Sequence, residues 1–318
     1  MPAAIETEGL TKDFLVGFWR PRPYRALDAL TLSVEPGEVF GFLGPNGAGK
    51  STTLKLLMQL IYPTSGVARI LGKPAGDVTV RQRISFLAEN PYFYDYLTAE
   101  EVLAYFAKLF GYSGAEVTSR VARVLDEVGI GAERRLRLRG YSKGMLQRVG
   151  LAQALINDPE VVFLDEPMSG LDPIGRRQVR DLILRLKQKG CTVFFSSHIL
   201  SDAEALCSRV AIMAQGRLVS CGALHEMVAF ELKGWELVAA GVNDALRVSL
   251  QGRARSITAL AEGRYVIDLP ADAAPERILV DLVGAGAQVI SLHPVRETLE
   301  DFFIRQVKAA SPRQTGMA

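Results

Sequence analysis

The chain has 318 residues, and its 37 lysines and arginines against 35 aspartates and glutamates give a formal net charge of +2. With 48% hydrophobic and 23% charged residues, the composition is that of a globular protein with a large core rather than of a disordered chain. The small net charge argues against a nucleic-acid partner. Three cysteines without metal-ligand spacing argue against a disulfide scaffold and against a zinc site.

The sequence predicts neither a membrane-spanning helix nor a signal peptide. No apolar run reaches the roughly 18 residues that a membrane-spanning helix needs. No basic, apolar and small-residue leader opens the chain. If the protein acts at a membrane, we expect other chains to supply the spanning helices.

A strand, a glycine-rich loop and a helix follow one another near the N-terminus. The apolar run 37–43 is typical of a buried strand, and leucines from Leu54 to Leu60 recur at helical spacing up to a turn cluster at 62–66. Between them, Gly44-Pro-Asn-Gly-Ala-Gly-Lys-Ser-Thr52 matches the Walker A pattern. Strand, loop and helix are the context that a phosphate-binding loop requires.

The Walker A pattern predicts a site for a nucleoside triphosphate. Its glycines let backbone N–H groups wrap phosphate oxygens, and the following helix adds the positive end of its dipole. In this motif the lysine, Lys50, reaches the β- and γ-phosphates, and the hydroxyl of Ser51 binds Mg²⁺. The candidate nucleotide-binding residues of the loop are Gly44, Asn46, Gly47, Ala48, Gly49, Lys50, Ser51 and Thr52.

Further along the chain, helical and strand patterns alternate. Thr98 and Glu101 form a capping box before a helical pattern that extends to about residue 130. The apolar runs 161–164 and 192–195 read as buried strands with a helix at about 173–189 between them. Such alternation predicts a parallel sheet.

Two acids, Asp165 and Glu166, follow the apolar run 161–164. A carboxylate at the end of a strand beside the glycine loop suits Mg²⁺, and Asp165 fits that role. Because strand side chains alternate in direction, Glu166 is expected to point elsewhere and to polarise the water that attacks the γ-phosphate. The alternative is an acid pair that caps the next helix.

The character of the sequence changes near residues 220–235. Short strands at 235–238, 265–269 and 288–292 alternate with helices at about 275–284 and 296–309. We interpret 226–310 as a small α+β domain that is joined to the first domain, 4–225, through residues 222–234. The tail 311–318 is expected to be disordered.

Four further segments complete an ordered set of motifs. They are Tyr141-Ser-Lys-Gly-Met-Leu-Gln-Arg148, Ser169-Gly-Leu-Asp172, Ser196-Ser-His198 and the single residue Glu89. Together with the Walker A loop they resemble the nucleotide-binding subunit of an ATP-binding cassette (ABC) transporter, most closely the ATPase subunits of bacterial ABC-2-type exporters. The resemblance covers about residues 4–225. It implies an α/β P-loop ATPase with a mostly parallel core sheet, an antiparallel N-terminal β subdomain and a helical subdomain at about 90–155.

The resemblance also implies roles for individual residues. Ser142 and Gly144 match the signature loop, which binds the γ-phosphate held by the other subunit, and Asp172 matches a loop that crosses the dimer interface. His198 matches the switch histidine that contacts the γ-phosphate, so it joins Glu166, the expected general base, as a catalytic candidate.

Two departures from the family pattern bear on activity. The usual signature Leu-Ser-Gly-Gly-Gln is Tyr141-Ser-Lys-Gly-Met145 here, although the phosphate-facing pair is kept. Glu89 stands where the family has a glutamine that touches Mg²⁺ or water. A carboxylate is still a ligand for Mg²⁺, but its charge beside the phosphates is expected to slow catalysis.

The segment before the Walker A loop leaves two questions open. Adenine is expected to stack on an aromatic residue, and both Phe14 and Tyr24 are candidates, with Phe14 preferred. The segment 18–25 mixes aromatic residues, prolines and arginines. It is a solvated loop, or it binds an anionic lipid headgroup or a membrane subunit.

The resemblance implies ATP and Mg²⁺ as cofactors and a homodimer, or a pair with another ATPase subunit, as the working unit. Separate integral-membrane permease subunits are the expected partners, at the cytoplasmic face of the inner membrane, and export is the expected direction. The alternatives are a soluble ABC ATPase, an unrelated P-loop kinase and a module that binds ATP without hydrolysing it. The transported compound cannot be inferred from sequence, because a fold does not fix its substrate.

Overall fold

The computed structural model describes residues 2–227 and 232–310. The chain divides into two compact units, one with the residues up to Leu224 and those from Phe303 onward, the other with His225–Phe302. The predicted joint at 222–234 lies partly outside the described residues, and the predicted disordered tail, 311–318, lies wholly outside them.

The bounds of the elements follow. The strands are β1 (Ile5–Val16), β2 (Arg22–Val34), β3 (Val39–Leu43), β4 (Ser65–Ile70), β5 (Lys73–Pro74), β6 (Ile84–Leu87), β7 (Val161–Asp165), β8 (Thr192–Ser197), β9 (Arg209–Ala214), β10 (Arg217–Ala223), β11 (Leu232–Ala240), β12 (Ser256–Ala259), β13 (Arg264–Pro270) and β14 (Gln288–Arg296). The helices are α1 (Lys50–Leu57), α2 (Val78–Arg81), α3 (Ala99–Leu109), α4 (Gly114–Glu127), α5 (Lys143–Leu155), α6 (Pro173–Gln188), α7 (Leu200–Leu206), α8 (Leu224–Met227), α9 (Asp244–Gln251), α10 (Pro275–Gly284) and α11 (Leu299–Ala310).

The core of the first unit is a six-stranded sheet in the order β10-β9-β3-β8-β7-β6. All neighbours pair in parallel except β10 with β9. The central strands β3, β7 and β8 are buried along their whole length because both faces of the sheet are covered. The ring of Phe194 lies within 5.8 Å of the rings of Phe40, Phe42 and Phe163 in this interior.

The register of the parallel strands brings their carboxyl ends to one edge. Leu43, the last residue of β3, pairs with Ser197, and Asp165, the last residue of β7, pairs with Ser196. The segments that follow β3, β7 and β8 therefore begin next to one another. In parallel α/β sheets this edge is where ligands bind.

An antiparallel sheet and a group of helices flank the core. The N-terminal sheet has the order β2-β1-β4-β5, in which β1 and β2 form a long hairpin. Helices α3 to α5 form the helical region, and α3 begins with the predicted capping box, in which Thr98 and Glu101 cap each other's backbone N–H. The predicted fold class is thus confirmed.

The helix after the Walker A loop is shorter than the leucine spacing predicts. Helix α1 ends at Leu57 rather than near the turn at 62–66, because Gln59 adopts a left-handed backbone with φ of +55°. Leu60, which the periodicity assigned to the helix, is exposed instead.

The second unit is a βαββαβ arrangement. Strands β11, β12, β13 and β14 form an antiparallel sheet in the order β12-β13-β11-β14. Helices α9 and α10 supply Leu246, Leu250, Ile278 and Leu282 to its core. The predicted strands and the helix at 275–284 are present, but α9 and β12 were missed. None of the helices described, in either unit, is both long and apolar enough to cross a membrane.

Candidate functional site

The Walker A loop joins β3 to α1, and two of its glycines are required by close backbone contacts. Gly49 caps α1 with φ of +101°, and a Cβ there would lie 2.7 Å from the carbonyl oxygen of Ala26. At Gly44 a Cβ would lie 2.6 Å from the carbonyl oxygen of Met213. No other residue type fits either position without shifting the backbone, so the tight curvature of the loop depends on them.

Lys50 lies across this loop. Its buried Nζ donates hydrogen bonds to the carbonyl oxygens of Gly44, at 2.7 Å, and Pro45, at 3.4 Å. The same Nζ lies 3.4 Å from Oε1 of Glu166. The ammonium group therefore stands at the loop that would receive the phosphates, held by weak partners that an anion can replace.

Ser196 links the two acids that follow β7. Its hydroxyl donates to Oδ1 of Asp165 at 2.5 Å and accepts from the backbone N–H of Glu166 at 3.0 Å. Ser196 is fully buried and Asp165 is 4% exposed. One side chain on β8 thus orients the carboxylate of Asp165 and the backbone of Glu166 together.

Glu166 has a left-handed backbone, with φ of +49°. Its side chain therefore does not follow the alternating directions of the side chains on β7. Its carboxylate is buried between two nitrogen groups: Oε2 lies 2.9 Å from Nδ1 of His198, and Oε1 lies 3.4 Å from Nζ of Lys50 without accepting a hydrogen bond from the described residues. The side chain of Glu166 has other partners than that of Asp165, and the two were predicted to point in different directions. The cause is the left-handed backbone at Glu166 rather than the alternation of side chains along the strand.

Nδ1 of His198 faces the carboxylate of Glu166. An ionised carboxylate only accepts hydrogen bonds, so Nδ1 is the donor in a contact with ionised Glu166. The His198 side chain is exposed, whereas that of Glu166 is buried. The imidazole therefore reaches from the carboxylate towards the open edge of the sheet.

The predicted Mg²⁺ ligands fit that role in part. Asp165 is a buried carboxylate with a hydroxyl partner, and no lysine, arginine or histidine within the described ranges forms an ion pair with it. A bound cation would offset the energetic cost of burying this negative charge. Ser51 lies in the first turn of α1, and the exposed Glu89 lies two residues beyond β6 on the same edge. A single buried carboxylate with a hydroxyl suits Mg²⁺, which takes its other ligands from phosphates and water.

The signature residues lie around a separate cleft. Ser142 caps α5 by accepting from the backbone N–H of Met145 at 3.2 Å, and Asp172 caps α6 by accepting from that of Gly175 at 2.7 Å. Both line a cleft of about 440 Å³ together with Gly144. Within the described residues, its lining includes none from the Walker A loop.

The two candidates for the adenine platform are cross-strand neighbours. Phe14 on β1 pairs directly with Tyr24 on β2, so both side chains project from the same face of the hairpin. Phe14 is half-buried, with the ammonium of Lys12 5.1 Å from its ring centre, and Tyr24 is exposed. The choice between them stays open.

Comparison with known proteins identifies the family. Residues 27–169 match the ABC transporter family. An uncharacterized ABC transporter ATP-binding protein of Synechocystis is 46% identical over 96% of this chain and 84% of its own length. The chain belongs to the ABC transporter ATP-binding proteins. A fluoroquinolones export ATP-binding protein of Mycobacterium tuberculosis is 41% identical over 64% of this chain and 66% of its own length.

A solved structure supports the same assignment for this ABC protein. It is a dimeric ATP-binding cassette in a post-hydrolysis state, bound to ADP and Pi, with a TM-score of 0.64 and 26% identity over 69% of this chain and 98% of that one. The ABC protein described here is therefore an ATP-binding subunit and an ATPase, as predicted from its motifs.

Two residues of this ABC ATPase escaped the sequence analysis. Ser196 was quoted only as part of the motif that ends in His198, yet it joins both acids. Gln147, buried in α5, donates from Nε2 to the carbonyl oxygen of Pro167 at 3.2 Å and so ties the signature helix to the segment after Glu166. Both elements contain other polar residues, so the sequence carried no distinct signal for either side chain.

Proposed function

We propose that this chain is the ATPase motor of an exporter, in which two copies close on two Mg²⁺-bound ATP molecules and drive separate membrane permease subunits from the cytoplasmic face of the membrane. One observation carries the proposal: Lys50, Glu166 and His198 are gathered at the carboxyl edge of the core sheet, where the Walker A loop begins. In this group Lys50 is the cation that would bind phosphate, and Glu166 is the carboxylate that would activate water. His198 holds that carboxylate in place.

Phosphate binding rests on the loop. The backbone N–H groups from Gly47 to Ser51 and the N-terminal end of α1 attract the phosphates. Lys50 exchanges its bonds to loop carbonyls for the β- and γ-phosphate oxygens. Ser51, Asp165 and Glu89 would hold Mg²⁺, which when bound neutralises phosphate charge and helps align the terminal phosphate.

Glu166 is the general base in this proposal. Once Lys50 turns to phosphate, Oε1 loses its nearest cation and is free to accept a hydrogen bond from water. The carboxylate then orients that water and accepts its proton as the water oxygen bonds to the γ-phosphorus, while the bond from the γ-phosphorus to the β–γ bridging oxygen breaks and ADP leaves. His198 keeps Oε2 in place through Nδ1 during this step.

Two copies are needed because the phosphate-binding groups occur in two places. Ser142, Gly144 and Asp172 line a cleft that lacks the Walker A loop. In a two-fold pair the cleft of one copy can face the loop of the other, as in a sandwich. Support comes from the dimeric state of the similar solved cassette.

Export is supported by the printed function of a relative. The Mycobacterium tuberculosis protein is named for the export of fluoroquinolones. We extend the direction of transport, and not the compound, to this chain, because the ATPase subunit does not contain the transport path.

The test is ATP hydrolysis by the purified chain with Mg²⁺, compared with Glu166→Gln and followed by light scattering for dimer formation. We expect the variant to lose at least about 100-fold in turnover and to accumulate as an ATP-bound dimer. Glu160→Gln is the matched control, since Glu160 is an exposed glutamate beside the other end of β7 that pairs with Arg83. Turnover by Glu166→Gln near that of the control contradicts the assignment of the base, and ATP binding without dimer formation contradicts the sandwich.

A further inference from the structure

The turn of the β1–β2 hairpin exposes large apolar side chains. We call residues 15–22 the hairpin tip. Phe18 is 91% exposed and Trp19 90% exposed, with their rings in edge contact at 5.6 Å. Leu15 and Val16 before them are 77% and 58% exposed. A contiguous apolar patch of this kind marks an interaction surface rather than ordinary solvent-facing loop.

The hairpin tip is apolar on both faces. Leu15 pairs with Pro23, and Val16 pairs with Arg22. Because successive residues of a strand point to opposite faces, Leu15 and Val16 project to opposite sides of the hairpin. The aromatic pair lies beyond them at the turn. The tip thus exposes apolar side chains on both faces and at its end.

The charge of this region is positive. Between Asp13 and Asp28 the sequence has arginines but no acidic residue. Arg25 is used internally, at 2.9 Å from Asp13 and 3.1 Å from Asp28, which braces the base of the hairpin. Arg20 and Arg22 form no ion pair within the part of the chain that the structure describes, so their charges are available to a partner.

We propose that the hairpin tip inserts Phe18 and Trp19 into the headgroup region of a bilayer that contains anionic lipid. Aromatic side chains, Trp above all, favour the boundary between headgroups and acyl chains. The flanking arginines then lie at the level of the lipid phosphates, where each adds to the attraction of an anionic surface. Charge complementarity selects anionic lipid, and apolar side chains exposed on both faces of the tip favour a fluid layer that can surround them. This contact is direct and independent of any permease.

Trp19 is a built-in reporter of insertion. The sequence contains two tryptophans, Trp19 and Trp235, and Trp235 packs against the core of the second unit. The full-length Trp235→Phe variant therefore emits from Trp19 alone. On addition of phosphatidylglycerol–phosphatidylcholine vesicles, we expect its emission to shift to the blue and to be quenched by lipids brominated near the headgroup. Vesicles of phosphatidylcholine alone should give a much weaker response.

Co-sedimentation with the same vesicles tests whether the arginines and the aromatic pair of the hairpin tip cause the binding. Arg20→Gln/Arg22→Gln should weaken the partition onto anionic vesicles by roughly 25-fold, from about fivefold for each arginine, and Phe18→Ser/Trp19→Ser should abolish it. Tyr92→Ser, which removes an 88% exposed aromatic residue elsewhere, is the matched control and should bind like wild type. Circular dichroism spectra identical to wild type confirm that the variants are folded.

Two results overturn the inference. One is a Trp19 emission that does not change with anionic vesicles. The other is binding only to vesicles that carry membrane protein, which assigns the tip to a protein partner. Neither depends on hydrolysis, so vesicle binding by a chain that fails the ATPase test leaves the inference standing and rejects the proposed function alone.

Discussion

Nδ1 of His198 lies 2.9 Å from Oε2 of Glu166, although the two residues follow different strands of the core sheet. The bond joins the end of β8 to the end of β7, and it holds a buried carboxylate whose other oxygen accepts no hydrogen bond from the described residues. The orientation of the candidate base is therefore set from the neighbouring strand.

Replacement of His198 tests this orientation. We expect His198→Ala to lower turnover by about 100-fold, with ATP affinity changed little, because Glu166 loses the donor that positions it. His198→Asn places an amide N–H close to the position of Nδ1 and should recover part of the loss. Steady-state hydrolysis and calorimetric ATP binding measure the two effects. Equal activity of the two variants would show that the bond to Glu166 is not what matters.

Removal of the Ser196 hydroxyl should weaken both fold and site. Ser196→Ala leaves the buried Asp165 oxygen and the Glu166 N–H without their partner, which costs about 1–3 kcal/mol. Urea unfolding measures the change. The matched control is Ser85→Ala on β6, because the Ser85 hydroxyl is also buried but has no hydrogen-bond partner among the residues that the structure describes. That control should leave stability unchanged or raise it. Similar losses in both variants would point to packing rather than to hydrogen bonds.

The adenine platform can be assigned by a pair of substitutions. We expect Phe14→Ala to weaken ATP binding by roughly tenfold, since stacking on a base contributes about 1–3 kcal/mol, and Phe14→Tyr to bind normally. Tyr24→Ala should change ATP affinity by less than about threefold on the same scale. Calorimetry in the Glu166→Gln background avoids hydrolysis. The reverse pattern would place the base on Tyr24.

Asp202 gives a prediction about pH. Burial raises the pKa of its carboxyl above the ordinary 3.8, against the attraction of Arg180, Arg176 and His198. The folded state therefore holds this proton more tightly than the unfolded state. The stability that it contributes is complete below pH 3.8 and is lost as pH rises through the folded pKa.

Asp202→Asn should remove that loss. We expect the variant to be more stable than wild type at pH 7 and the two to converge near pH 4, as measured by urea unfolding across this range. Asp202→Ala also removes the charge but leaves a cavity, so it separates charge from packing. An Asn variant that is less stable than wild type at pH 7 would mean that attraction to the arginines outweighs burial.

Much of the fold was predictable because its signals are local. The apolar strands, the Walker A loop and the capping box at Thr98 depend on short stretches of sequence, and the structure has each of them. Helix α9 also had a local signal, since Asn243 caps it by accepting from the N–H of Leu246, but this signal was overlooked. The edge strand β12 has only four residues and one partner strand, so its sequence hardly marks it.

The candidate site was predictable as a set of residues but not as a geometry. The motifs named Lys50, Glu166 and His198, yet their mutual distances depend on the register of three strands. The end of α1 and the turn at Glu166 depend on left-handed backbones at residues that are not glycine, which no residue preference announces. Roles of the signature residues stay predictions, because they require a second copy.

The left-handed backbone at Glu166 also constrains how this sequence can change. A residue other than glycine costs about 1 kcal/mol or more in that conformation, so selection for stability alone would favour glycine or asparagine there. If Glu166 is the base, as proposed, a library screened only for heat resistance should drift towards stable but inactive chains at this position. Engineering for thermal stability must therefore hold Glu166 fixed and look for its gains elsewhere in the molecule.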